Sequence, residues 1–329
     1  MAQPHPLPAQ RTNGELVLAL VARQVARLTS LQAPVLADQD PEPLHQMRVA
    51  MRRLRTTLRQ FAPVLILPSG VRDQRIAKSV RRLGLARDLD VLRERLEDDL
   101  VPELAERERR ALEPVFRQLR RERRIAYDHL VEVLRGRSHL ELLARLQDWL
   151  RQPRFTPLGE EPLHRWLGEW QLPPVLELYL HPGWRVSDAG DEADTVHDLR
   201  KQIKEVRYRL ENLRDSGGPC QRDTVGRLRQ LQELLGDWHD LEVLAKAIDD
   251  QMPRSLAIDL PELAALLQER RSDCWVRWRQ QAAELGAPHS RRSRFEGLNR
   301  EASRLRIRVM CSVIPGRVSI RMAALRRAR

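Results

Sequence analysis

Apolar residues recur at i, i+3, i+4 and i+7 through segments 15–31, 43–62, 71–99, 103–135, 139–151, 195–214, 222–249 and 261–285. That spacing lays one apolar stripe along a helix. Start signals agree with it: Pro43 falls near a first helical position, Pro102 and Pro261 precede acidic first turns, and Asp194-Thr195 opens another segment. Pro114 lies inside 103–135 and predicts a kink or a break there. No run of β-branched or aromatic residues alternates long enough to form a strand. The pattern predicts an all-α protein. Residues 152–193, with PRFTPLGEEP, QLPP and HPGW, read as a long connection holding short helices near 161–171 and 173–180.

The chain repeats itself. His45-Gln-Met-Arg48-Val-Ala-Met-Arg52-Arg-Leu-Arg55 aligns with His197-Asp-Leu-Arg200-Lys-Gln-Ile-Lys204-Glu-Val-Arg207 at an offset of 152. LGLARDLDVL (83–92) aligns with LGDWHDLEVL (235–244) at the same offset, with six identities in ten. Two motifs sharing one ungapped offset indicate two copies of a helical unit. Two pseudo-symmetric helical bundles are the packing expected of them. The repeated unit spans 11–285, with repeat one about 11–135 and repeat two about 139–285, and a basic extension follows at 286–329.

On a wheel of about 100° per residue, Arg48, Arg52, Arg55 and Arg59 fall within about 80° beside His45. Met47, Met51, Leu54, Leu58 and Phe61 lie roughly 140° away and can pack a core. The second copy sets His197, Arg200, Lys204 and Arg207 in the stripe over Leu199, Ile203, Val206, Leu210 and Leu213. Solvated helix faces usually relieve stacked cations with an acid one turn away. For three turns neither stripe has one, which favours an anion site over a solvated face. Arg75, Lys78 and Arg82 extend the ridge on the next helix, thinly matched by Arg227 and Arg229. Asp88, Asp90, Asp240 and Glu242 suit the orientation of neighbouring arginines, and Gly84 and Gly236 suggest close helix approach. Each motif histidine serves equally well as a neutral hydrogen-bond donor to an oxyanion or as a structural tie at a helix start.

Net charge is +12, but 12 Arg against Glu296 and Glu301 after Gly286 supply most of it. The body is nearly neutral, so an anion site there must arise from patterning rather than bulk charge. The 14 residues from Gly316 end in a basic cluster; between Phe295 and Val313, apolar spacings of three and four predict one amphipathic helix. The extension reads either as an electrostatic arm or as a helix packed on the second bundle. The longest apolar run, Leu16–Ala22, cannot span a bilayer, and the first residues lack a secretory h-region. Cys220, Cys274 and Cys311 are far apart with no CxxC, so neither a disulfide framework nor a cysteine-rich zinc site is expected. A cytoplasmic protein without metal or cofactor is the expectation. There is no Walker loop, HExxH or paired catalytic carboxylate motif, which speaks against an enzyme.

The doubled pattern H-x-x-R-x-x-x-(R/K)-x-x-R, each copy followed by LG-x-x-(R/H)-D-x-(D/E)-V-L, resembles the CHAD family, the conserved histidine α-helical domain. The resemblance covers about residues 11–285. It implies paired four-helix bundles around a basic channel that binds inorganic polyphosphate, with association to polyphosphate granules. The residues it assigns to that channel are His45, Arg48, Arg52, Arg55, Arg75, Lys78, Arg82, Arg87, His197, Arg200, Lys204, Arg207, Arg227, Arg229 and His239. His239 replaces the Arg found at Arg87, while Glu205 and Glu211 stand where copy one has Arg53 and Arg59, so the second half should contribute less charge. The E-x-E-x-K mark of fused triphosphate tunnel enzymes is absent, ERER at 106–109 being the nearest approach. The rival reading is a nucleic-acid-binding helical protein using its Arg-rich tail. Few aromatic platforms for bases count against it, since aromatics make up 4% of the chain.

Overall fold

The structure, a computed structural model, describes residues 11–313 except 189 and 191, with side chains to residue 306. It is all-α. Among the described residues β-pairing is limited to two isolated bridges, Thr12 with Pro162 and Leu65 with Phe155. The long helices are α1 (Asn13–Ala37), α2 (Pro41–Gln60), α3 (Asp73–Glu94), α5 (Glu113–Arg135), α6 (Arg137–Arg151), α8 (Leu163–Leu180), α9 (Ala193–Asn212), α10 (Pro219–Asp249), α12 (Pro261–Gly286) and α13 (Pro288–Val313). Short helices α4 (Glu106–Ala111), α7 (Pro157–Glu160) and α11 (Leu256–Asp259) fill the connections. The α2 and α9 ranges lie 152 residues apart at both ends.

Helix ends follow local chemistry. Thr12 and Glu15 form a reciprocal capping box on α1. Asp40 caps α2 by accepting from the Glu42 N–H at 2.8 Å, with Pro41 at the first helical position. The α2 start is therefore set by Pro41 rather than Pro43. The break expected at Pro114 occurs at Leu112, and Pro114 sits in the first turn of α5. Continuing from α3, the chain passes through a π-helical turn, Arg95–Leu100, before a single 3₁₀ turn.

Among the described residues three apolar cores result. The first gathers Leu16 to Leu28 of α1, Met47, Met51 and Leu54 of α2, and Leu142 and Leu146 of α6. The second joins Val196, Leu199 and Ile203 of α9 to Leu231, Leu235 and Trp238 of α10 and Trp278 of α12. A third, outside the sequence expectation, packs Leu92, Leu96 and Leu100 against Leu241, Leu244 and Ile248, tying the far ends of α3 and α10 together. Glu108, within the ERER segment, is buried and accepts the Glu262 and Leu263 N–H groups at 2.8 and 2.9 Å. A carboxylate there satisfies orphan donors at the start of α12.

Two expectations need correction. Residues 152–193 do not form a long connection with two separate short helices near 161–171 and 173–180. The single helix α8 runs through Pro173 and Pro174. The carbonyls that lose their N–H partners belong to Glu169 and Trp170, one exposed and one half-exposed, so water can serve them. Leu163 and Leu167 of α8 enter the first core and Val175 and Leu178 the second, making it a strut between the bundles. The helix expected from Phe295 begins at Pro288, and Leu298 is fully buried in the second core. Through residue 306 the segment is a packed helix, not a free arm. The stretch after Gly316 lies outside the described residues. Trp149 and Trp278 are buried, Trp278 stacks between Trp184 and Trp275, and Trp238 meets Trp275 at a tilt.

Candidate anion-binding site

Burial of Met47, Met51 and Leu54 turns Arg48 and Arg52 away from the first core; Leu199 and Ile203 do the same for Arg200 and Lys204. Helices α2 and α9 pack against each other, and their pairs are reciprocal in repeat register. Arg53 pairs with Glu211 at 2.6 Å and Arg59 with Glu205 at 3.3 Å, positions that exchange partners under the offset of 152. Asn212 donates to Gln60 at 2.8 Å, and these two residues are equivalent under the same offset. Glu205 and Glu211, which stand in the second copy where the first has Arg53 and Arg59, are thus the cross-helix partners of those two arginines.

Beside this seam the two ridges converge. The Lys204 ammonium is pushed down to about 6, by burial first and then by Arg52, Arg200 and Arg48. Burial, then Arg48, lowers Arg52 to about 10, with Arg200 adding to the effect. Burial also lowers Arg200, with Arg48 against it and Asp240 and Asp88 opposing the shift. Four basic groups from two helices therefore repel one another in a half-dry setting. Their balancing carboxylates are few: Asp88 binds Arg48 at 2.8 Å, and Asp240 is half-buried, with its carboxyl held above the usual range mainly by desolvation. Arg48 Nε, Arg87 Nε, Arg200 Nε and His197 Nδ1 are buried without a hydrogen-bond partner. Such orphaned donors are costly unless a ligand supplies acceptors.

On the α2–α3 side the cluster opens to solvent. A cleft of about 530 Å³ is lined by Arg48, Arg52, Lys78, Arg81 and Arg82, with Asp88 the carboxylate among its lining residues. Gly84 lies in it, but close helix approach is not the reason. A Cβ there would meet the Arg48 guanidinium at 3.7 Å, ordinary contact, and at Gly236 it would meet nothing. The acidic residues of the second motif do orient arginines: Asp90 holds Arg123 at 2.9 Å and Glu242 faces Arg271 at 3.7 Å.

The histidines sit at the margin. His45 is exposed; burial and Arg87 favour its neutral form. His197 and His239 lie in a tilted ring contact with centroids 4.9 Å apart. Burial, then Arg200, pushes His239 down to about 4, and burial with Lys201 and Arg200 lowers His197.

Other expected residues are engaged elsewhere. Arg55 is held bidentately by Asp73 at 2.7 and 2.8 Å. Arg75 faces Glu141 of α6 at 4.0 Å, and Arg87 pairs with Glu94 at 3.3 Å. Arg207 is buried between Glu211 and Gln232, over the Tyr208 ring. Arg229 also binds Glu211, at 3.2 Å. Arg227 points to Asp223 and Glu284, in a polar cleft between α10 and α12. The sequence reading missed Arg81, because its repeat equivalent is Glu233 and the i, i+3, i+7 series skips it.

Residues 19–249 match the family model of the CHAD domain. The chain belongs to the CHAD domain family. This family is associated with polyphosphate. The structure resembles the crystal structure of the CHAD domain from the plant Ricinus communis, at TM-score 0.56 and 25% identity over 91% of this chain and 95% of that one. It also resembles PptA from Streptomyces chartreusis, at TM-score 0.63 and 17% identity over 83% and 99% of the two chains, which speaks for the fold. No curated protein matches the chain. In this CHAD chain no helix among the described residues is long and apolar enough to cross a membrane. Nor do those residues group three or more His, Cys, Asp or Glu side chains able to hold a metal ion.

Proposed function

We propose that this CHAD protein binds inorganic polyphosphate, with the chain lying across the Arg48–Arg52–Arg200–Lys204 cluster and along the Lys78–Arg82 cleft, as a binder rather than a catalyst. One observation carries the reading: two helices bring four basic groups together so tightly that Lys204 is driven down to about 6. A phosphate chain supplies about one negative charge per residue and only acceptor oxygens, which suits guanidinium and ammonium donors. The reciprocal pairs across α2 and α9 support a pseudo-twofold arrangement in which both motif copies serve one site. Granule association follows as the setting for such a binder.

The test compares Arg48→Glu and Arg200→Glu with wild type in titrations against long-chain polyphosphate and against DNA of equal charge. Each variant should weaken polyphosphate binding by about 100-fold, since each lost charge-assisted contact is worth about 1.5–3 kcal/mol and a new repulsion is added. Helical circular dichroism should stay unchanged. If both variants bind polyphosphate like wild type, the cluster is not the site. Equal affinity of the wild type for DNA would point to a general polyanion surface instead.

A further inference from the structure

A second concentration of arginine lies on a different face of the α2–α9 seam. A cleft of about 360 Å³ opens between α1, α2, α9 and α10 and is lined by Arg23, Arg53, Arg214, Arg222 and Arg229, with Glu211 at its base. It shares no lining residue with the Lys78–Arg82 cleft. Glu211 is the carboxylate among the lining residues, against five guanidiniums. Its side chain is only 8% exposed. Burial works against its charge, but Arg207 and Arg53 outweigh that and keep the carboxyl low.

Glu211 therefore acts as a fixed internal anion. It anchors Arg53 at 2.6 Å and Arg229 at 3.2 Å, each through a single Nη2, so most donors of both guanidiniums remain unused. Arg53 is further steadied over the Tyr208 ring, 4.8 Å from its centroid. Arg23 and Arg214 pair with no carboxylate among the described residues. Arg222 gives Nη1 to the Gly217 carbonyl at 3.2 Å. Anchored guanidiniums with free donors, in a cleft whose charge its own acid cannot balance, form a preorganised receptor for a compact polyanion.

We propose that this cleft is a second oligophosphate-binding subsite, separate from the central cluster, which holds a short run of phosphoryl groups against Arg23, Arg53, Arg214 and Arg229. It rests on the reading above only in choosing phosphate chains as the ligand. The occupant is either the end of a long polyphosphate chain or a free short oligophosphate.

Gly226 gives a clean test. It is an exposed wall residue of the cleft within α10, and a Cβ there would meet no atom within 4 Å. Gly226→Glu therefore places a carboxylate among the arginines without a steric penalty, and Gly226→Ala is the control for the added Cβ. Full-length wild type and both variants are titrated calorimetrically with tripolyphosphate and with long-chain polyphosphate, alongside Arg48→Glu.

The expected result is two tripolyphosphate binding events in wild type and in Gly226→Ala, with one of them lost or weakened at least about tenfold in Gly226→Glu. Arg48→Glu should retain the event that Gly226→Glu removes. If the occupant is the end of a long chain, Gly226→Glu also weakens long-chain binding by a similar factor; if it is a free oligophosphate, long-chain binding is unchanged, and both results support the subsite. Titration of Gly226→Glu indistinguishable from wild type with both ligands overturns it, as does equal loss in Gly226→Ala. Failure of the central site reads differently: Arg48→Glu would then match wild type while Gly226→Glu still lost its event.

Discussion

The two copies of the basic motif make unlike contributions from nearly the same residues. In the first, Arg48 and Arg52 look into an open cleft whose other walls are Lys78, Arg81 and Arg82, and Asp88 holds Arg48 from the solvent side. In the second, Arg200 and Lys204 are half-buried like the first pair, His197 and His239 set their rings 4.9 Å apart, and Gln230 and Leu234 replace the lysine and arginine of the next helix. Burial lowers Arg52 of copy one and Arg200 of copy two alike, and both stay guanidiniums, whereas the Lys204 ammonium of copy two is driven down to about 6 by burial and by Arg52, Arg200 and Arg48. Repetition of a motif thus fixes where cations go, while local burial decides whether they remain charged before a ligand arrives.

Removing the suppressed amine should have the largest effect that separates the copies. Lys204→Met is expected to weaken polyphosphate binding by about tenfold, because a bound polyanion would restore the proton and gain a charge-assisted contact. The melting temperature should hold or rise, since the variant removes the cost of deprotonating and burying the amine. A fall in melting temperature with binding intact would show that Lys204 is structural.

The same contrast has a pH signature. The folded-state pKa of Lys204 is lowered to about 6 from 10.5, so between those values the unfolded chain carries a proton that the folded one lacks. Stability therefore rises with pH across that window, and His239, lowered to about 4 from 6.5, adds the same sign of slope at lower pH. Binding runs the other way: a polyanion favours the protonated forms, so polyphosphate binding takes up protons and weakens as pH rises above 6. Calorimetry in buffers of different ionisation enthalpy reads the uptake, and denaturant titrations read the stability slope. Lys204→Met should flatten both; a wild-type protein whose binding releases protons would refute the assignment.

A smaller gain is expected from Asp88→Asn. It frees Arg48 from its 2.8 Å partner. Affinity should rise about threefold, in keeping with the modest worth of a half-exposed pair. The smallest effect belongs to Arg55→Ala. Its bidentate partner Asp73 opens α3. The loss should appear as about 1 kcal/mol or less of stability, with polyphosphate affinity nearly unchanged. A large loss of affinity there would return Arg55 to the site and place the ligand farther along α2.

Local chemistry alone settled much of this protein. The 3.6-residue period marked most of the long helices and the 152-residue offset matched α2 to α9, although the α2 start read at Pro43 falls at Pro41 under the Asp40 cap. Both ridges could be read as well, because which side of a helix meets a core depends only on spacing along one segment. Pairing across segments could not be read that way. Arg55 and Arg207 carry the same spacing as Arg48 and Arg200, yet Asp73 and Glu211 hold them out of the cluster. Prolines at 173 and 174 suggested a break that α8 does not make, because its contacts with both cores hold the helix together. The folded chain alone decided which cations share a carboxylate and which are left facing one another, since charge interactions depend on distance and burial in space, and sequence separation measures neither.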